Sequence, residues 1–179
     1  MLRTVSFLAA LIILPACASA QTPAPSLTPQ PARRPAPCAT PEFRAFDYWI
    51  GEWTVSDTTG QVMATSSITK VSGDCAIAEH WQPIGGKEGR SLSWYEPKDQ
   101  QWHQQWVDGD GWTARFDGNP DAGEMVLTEM AHPATPNAPI GRMRYITRPG
   151  GVVRQSLWQS KDQGETWTLM FVGDYSPKR

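Results

Sequence analysis

The sequence predicts an all-β protein, a single antiparallel meander closed into a barrel of about eight to ten strands with a short helical turn at its N-terminal end. Three observations predict it. Apolar and polar residues alternate with period two in one segment after another, the pattern of a strand with one covered face. Turn-forming clusters of Gly, Pro, Asp and Ser separate those segments at short intervals. Helical periodicity is confined to one short stretch. A chain with this many short strands removes its sticky edges best by closing on itself.

The helical stretch is "PEFRAFDYW" (41–49), where Phe43, Phe46 and Tyr48 can form a single turn that closes one end of a sheet. The strands follow in order. "WTVSD" gives way to the turn "TTGQ", and "MATSSITKV" to "SGD". "CAIAEHWQ" leads into "PIGGKEG", and "RSLSWYE" into "PKDQ". "QWHQQWV" and "WTARF" are separated by "DGDG" (108–111), which lacks the further carboxylates of a calcium loop and reads as a hairpin turn. "EMVLTEM" precedes a Pro-rich loop, "HPATPNAP", and "GRMRYIT" and "VVRQSLWQS" are joined by "RPGG". "TWTLMFVGDY" is the last strand.

The turn before that last strand, "SKDQGETW" (160–167), has the Ser-x-Asp-x-Gly-x-Thr-Trp pattern of an Asp-box. Sialidase propellers carry repeated boxes on several four-stranded blades. This chain has one box and too few residues for a propeller. The expected purpose is mechanical: Ser160 and Asp162 bond nearby backbone N–H groups, Gly164 supplies a positive φ, and Trp167 folds back on the hairpin.

The N-terminus carries an address. Arg3 precedes the apolar run "VSFLAALIILPA", and "ASA" (18–20) is a small-x-small cleavage signal, so residues 1–20 read as a secretory signal peptide. The run is too short for a permanent transmembrane segment. A second reading is open: "LPAC" (14–17) resembles a lipobox, in which Cys17 becomes a lipid anchor to the envelope. Residues 21–41 are dominated by proline and read as an extended linker, leaving 42–179 as the barrel domain. A secreted or periplasmic location follows. In an oxidising compartment Cys38 and Cys75 are expected to pair, fastening the linker to the domain; the alternative is two unpaired thiols.

Charge excludes one class of partner. Arg3, Arg33 and Arg34 precede residue 42, leaving 13 of the 16 Lys and Arg residues against 18 Asp and Glu in the domain, a net of −5. With no basic cluster or stripe, no nucleic-acid partner is expected.

The opening "FDYWIGEWTV" (46–55) resembles the signature of a family of exported bacterial domains of unassigned activity. The spacing of "GDCAIAEHW", "SLSWYE", "QWHQQWVD", "VVRQSLWQS" and "TWTLMFVGDY" is similar through most of residues 43–175. In outline the pattern is also similar to the calycin superfamily, which includes lipocalins, fatty-acid-binding proteins and haem-binding nitrobindins. The resemblance implies a barrel with a central cavity and implies no reaction. Nitrobindin-like haem ligation wants a histidine late in the chain, and none follows His132, so no cofactor is expected.

Strand parity then proposes inward-facing residues. If the tryptophans point inward, Glu79 comes with Trp81, Gln104 with Trp102 and Trp106, and Arg154 with Trp158. Tyr95 and Ser93 join if their strand keeps that phase, although Leu92 and Trp94 compete for the interior. Trp49 and Trp53 are expected to pack the closed end. His80, His103 and His132 are expected at the surface, and no paired spacing suggests a metal site.

Buried charges must be paired or bound to something. Glu79 and Arg154 are therefore expected to meet, with Gln104 as a bridge, either as a structural ion pair or as the polar floor of an aromatic-walled pocket. The leading functional expectation is a small amphipathic or aromatic ligand held by Glu79, Trp81, Tyr95, Trp102, Gln104, Trp106, Arg154 and Trp158. One alternative is a barrel enzyme, with Glu79 as general acid or base, Arg154 as a substrate carboxylate clamp and Tyr95 as proton donor. Another is a structural or interaction domain with a filled core. Ligand identity and oligomeric state stay open.

Overall fold

The structure is a computed structural model that describes residues 37–130 and 134–178. The expected signal peptide, Cys17, most of the expected linker and His132 lie outside the described residues.

A helical turn α1 (Pro41–Arg44) and a 3₁₀ turn at Asp47–Trp49 precede ten strands. These are β1 (Gly51–Ser56), β2 (Val62–Val71), β3 (Ala76–Pro83), β4 (Gly89–Glu96) and β5 (Gln101–Asp108), followed by β6 (Thr113–Asp121), β7 (Glu124–Glu129), β8 (Ile140–Arg148), β9 (Val152–Ser160) and β10 (Thr168–Pro177). Each strand pairs antiparallel with its sequence neighbours. β1 also pairs with β10, Trp53 opposite Pro177 and Val55 opposite Tyr175, so the meander closes and no sheet edge is left. The expected all-β meander barrel is the observed fold, and its architecture is compatible with the calycin class.

In a closed meander successive turns alternate between the two ends of the barrel. One end is plugged by the segment before β1. Phe46 stacks on Trp49 with ring centroids 4.9 Å apart and meets Trp102 edge-on at 5.7 Å. Trp53 donates its indole N–H to the Trp49 carbonyl at 3.0 Å, and Trp102 donates its own to the Glu42 carbonyl at 3.1 Å. The Tyr48 hydroxyl donates to the Tyr145 carbonyl and accepts from the Met125 N–H, tying the plug to β7 and β8. Phe46 and Trp49 have no solvent exposure. Removing the Phe46 ring would cost about 3–5 kcal/mol, the ordinary range for a large aromatic in a filled core.

The Cys38–Cys75 disulfide fastens the segment before α1 to the turn between β2 and β3 at this same end. Such a bond fits an oxidising, extracytoplasmic compartment. No helix among the described residues is long and apolar enough to cross a membrane.

The Asp-box is the β9–β10 turn. The Ser160 hydroxyl accepts from the Gly164 N–H at 2.7 Å, and Asp162 accepts from the Thr166 N–H at 2.8 Å. Gly164 has φ +102, where a Cβ would be strained, and Trp167 returns its indole N–H to the Gly164 carbonyl at 3.0 Å. Arg142 from β8 lies 3.9 Å over the Trp167 ring and holds it against the outer wall. The "DGDG" stretch is likewise a hairpin turn, with the Asp108 carboxylate accepting from the N–H groups of Asp110 and Trp112.

Candidate functional site

Above the plug the barrel interior holds a cavity of about 240 Å³ that opens toward solvent. Its walls come from five strands and one turn. Glu79 and Trp81 project from β3; Gln104, Trp106 and Asp108 from β5; and Met143 and Tyr145 from β8. Gln155 and Leu157 project from β9, and Phe171 and Tyr175 from β10. Trp112, in the β5–β6 turn, stands half exposed at the mouth.

Glu79 is 5% exposed. Ser91 on β4 is opposite Glu79, and Ser66 on β2, opposite Trp81, reaches it on the diagonal; both turn inward on either side of β3. The Ser66 hydroxyl donates to one carboxyl oxygen at 3.0 Å, and the Ser91 hydroxyl donates to the other at 2.9 Å. The Tyr175 hydroxyl reaches the first oxygen at 3.4 Å from across the barrel. Burial dominates these contacts and pushes the Glu79 pKa up from 4.5 to about 7, against the three hydroxyls, which lower it.

A chain of neutral polar groups runs on from there. Tyr175 donates to the Gln155 carbonyl oxygen at 2.6 Å, and the Gln155 amide donates to the Tyr145 hydroxyl at 3.2 Å. Tyr145 donates to the Gln104 carbonyl oxygen at 3.3 Å, and the Gln104 amide donates to the Ser93 hydroxyl at 3.0 Å. Burial, followed by the charge of Glu79, raises the pKa of both Tyr145 and Tyr175 well above the usual phenol value, so both stay neutral. The chain satisfies nearly every polar atom it contains, which locks the rotamers around the cavity.

The expected inward residues divide. Glu79, Trp81, Gln104 and Trp106 share the cavity. Trp102 faces inward but is taken up by the plug, beneath the cavity. Tyr95 lies at the same plugged end, edge-on to Phe43 at 5.2 Å, and does not line the cavity. The undecided strand β4 turns Ser91 and Ser93 inward, while Leu92 is exposed and Trp94 covers the outer face.

Arg154 and Trp158 are corrections. On β9 it is Val153, Gln155 and Leu157 that point inward, and Arg154, Ser156 and Trp158 that point out. Arg154 makes a two-point ion pair with Asp174 of β10, both contacts 2.6 Å, on the outer wall. It does not meet Glu79. Trp158 stands on the same outer face, its indole N–H donating to Ser156. The rule that tryptophans point inward fails here because β9 carries large side chains on both faces, with Val153 and Leu157 on the inner one and Trp158 on the outer.

His103 needs a different correction. Parity places it outward, as expected, but it is only 4% exposed. Trp94 covers its ring at 5.3 Å, and Asp117 and Asp99 flank its two nitrogens. His80 is on the outer face beside Glu88.

Sequence reasoning missed Tyr145, Gln155, Phe171 and Tyr175. The signal for β9 was present: Val153 and Leu157 share the parity of Gln155 and are better core residues than Arg154 and Ser156. For β10, the pairing with β9 shifts between Leu169 and Phe171, so simple alternation does not carry through the strand.

The interior therefore offers a buried carboxyl with raised basicity, a neutral hydrogen-bonding chain and aromatic walls. Against protein-family models and curated proteins the chain finds no match, so neither the family suggested by its opening motif nor any relative's activity bears on this site.

Proposed function

We propose that this is an exported protein of the bacterial envelope that holds a small amphipathic or aromatic molecule inside its barrel. One observation carries the reading: the interior is not filled. A solid core argues for a structural domain, whereas a cavity of about 240 Å³ with aromatic walls and a few convergent polar groups has the make-up of a ligand site. The volume is below the usual range for drug-sized ligands, which favours a molecule with a single ring or a short chain. The disulfide and the signal-like N-terminus support an extracytoplasmic, periplasmic or secreted setting.

The acid–base alternative loses two of its three residues, since neither Arg154 nor Tyr95 lines the cavity. Glu79 alone keeps a value suited to proton transfer. Binding is the better supported reading.

The test is mass spectrometry on protein purified natively from the exporting cell. A small molecule should be released on denaturation in stoichiometric amount. Added back to emptied protein, it should quench the fluorescence of Trp81 and Trp106. A barrel that carries nothing out of the cell and whose fluorescence responds to no small aromatic compound would refute the proposal.

A further inference from the structure

We infer that the cavity takes an organic cation, a molecule with one protonated nitrogen on a small apolar or aromatic body. This rests on the interior being a binding site and adds the chemical class of what it binds.

The charge inventory of the walls leads to it. Glu79 and Asp108 line the cavity, the Asp108 carboxylate already held by the Asp110 and Trp112 amides, and the lining contains no Lys, Arg or His. The cation expected to neutralise Glu79 is absent from the interior: Arg154 is spent on Asp174 outside the barrel. The groups around Glu79 are neutral hydroxyls: Ser66 and Ser91 donate to it, and Tyr175, whose proton goes to Gln155 at 2.6 Å, lies 3.4 Å away. The two serine donors orient the carboxyl and stabilise its anion without supplying countercharge. A carboxylate has about four acceptor positions. The two serines occupy one position on each oxygen, which leaves capacity for an N–H from a ligand.

The alternative occupant is a neutral molecule whose carbonyl accepts a proton from an un-ionised Glu79. The arrangement of donors argues against it. An un-ionised Glu79 can hand its proton to the Tyr175 oxygen, whose own proton goes to Gln155, so it offers a carbonyl ligand no free donor, whereas the anion keeps acceptor positions open to an N–H. Anionic ligands are disfavoured more strongly, because they would meet the Glu79 carboxylate with no Lys, Arg or His in the lining to offset it.

The aromatic walls supply the second half of the site. Trp81, Trp106, Phe171, Tyr145 and Tyr175 surround the cavity, and the negative face of an aromatic ring attracts a cation. Trp81, Phe171 and Tyr175 form a contiguous group, with Trp81 6.1 Å from each of the other two by ring centroids. A carboxylate at the floor with aromatic rings above it matches a ligand with charge at one end and an apolar body at the other. The Glu79 pKa, raised to about 7 by burial, fits a carboxyl that lacks a cationic partner.

The experiment uses three probes of nearly one shape: 2-phenylethylamine, 2-phenylethanol and phenylacetate. Each is titrated by isothermal calorimetry and ligand-observed NMR into the oxidised, emptied protein at about pH 8, where Glu79 is ionised. The amine should bind about tenfold or more tightly than the alcohol, the range of a desolvated charge partner and a cation–π contact together, and the acid should bind most weakly. In Glu79→Gln the amine and the alcohol should bind alike, with retained folding checked by a thermal melt. An alcohol or acid that binds wild type as tightly as the amine overturns the cation assignment while leaving interior binding in place. So does an amine preference that survives Glu79→Gln. Failure of all three probes to bind wild type overturns both the class and the binding reading.

Discussion

Glu79→Gln is expected to stabilise the ligand-free protein, and only above mildly acidic pH. The replacement keeps the shape and the acceptor oxygen for Ser66 and Tyr175, and its amide can donate to Ser91. What it removes is the charge. The folded-state pKa of Glu79 is raised from 4.5 to about 7, so the sign runs opposite to that of a salt-bridged carboxylate. Below about pH 4.5 the group is protonated in both folded and unfolded chains. Between 4.5 and about 7 the unfolded chain gives up its proton while the folded chain keeps it, and stability falls as pH rises. Above about 7 the loss is complete. At ~1.4 kcal/mol per pH unit, the gap amounts to about 3 kcal/mol, a sizeable part of the 5–15 kcal/mol of a typical domain. Urea unfolding of wild type and variant at a series of pH values from 4 to 8 measures it. The two should coincide near pH 4 and diverge to about 3 kcal/mol at pH 8, a difference of roughly 10 °C in a thermal melt. Taking the difference cancels every other titrating group. A gap between the two proteins that does not change with pH would show that Glu79 is not a desolvated carboxyl, and the reasoning would fail with it.

Other outcomes follow from separate parts of the fold. Arg154→Ala should cost no more than about 1 kcal/mol, because its pair with Asp174 is partly exposed, and it should leave ligand affinity unchanged; calorimetry that shows lost binding would return Arg154 to the site. Breaking the Cys38–Cys75 bond by Cys38→Ser should lower stability by about 3–4 kcal/mol, from the chain entropy of a loop spanning 37 residues, read by urea unfolding. Gly118→Ala should destabilise by about 1–3 kcal/mol, since its Cβ would sit 2.1 Å from the Val126 carbonyl oxygen and force β6 and β7 apart. Asp162 has a pKa lowered to about 2, chiefly by the Ser160 hydroxyl and then by Thr166. Its support of the β9–β10 turn is complete above the ordinary value of 3.8 and is lost as pH falls through about 2, so the Gly164 and Thr166 amides should lose hydrogen-exchange protection in that window.

The local patterns were decisive where the physics is local. Period-two alternation and turn chemistry need only neighbouring residues, and they determined the ten strands, the hairpin role of "SKDQGETW" and the direction of the meander. The plug was legible too, because "FDYW" places aromatics where a short turn must cover the end of a barrel. The even count of candidate cysteines pointed to the bridge. Glu79, Trp81, Gln104 and Trp106 were reached by parity, since their strands carry an apolar set on one face only.

Tertiary structure decided what alternation cannot. Alternation sorts a strand into two faces and does not say which one turns inward. On β9 both faces carry large side chains; Val153 and Leu157 favour the Gln155 face, and Asp174 on the neighbouring strand holds Arg154 on the other. His103 is buried on the outer wall because Trp94 lies across it, a contact set by the register of β4 against β5. The partners of Glu79 come from β2, β4 and β10, and Tyr175 is 96 residues away along the chain. Only the closure of β10 onto β1 brings that hydroxyl across the barrel, and no local spacing encodes it.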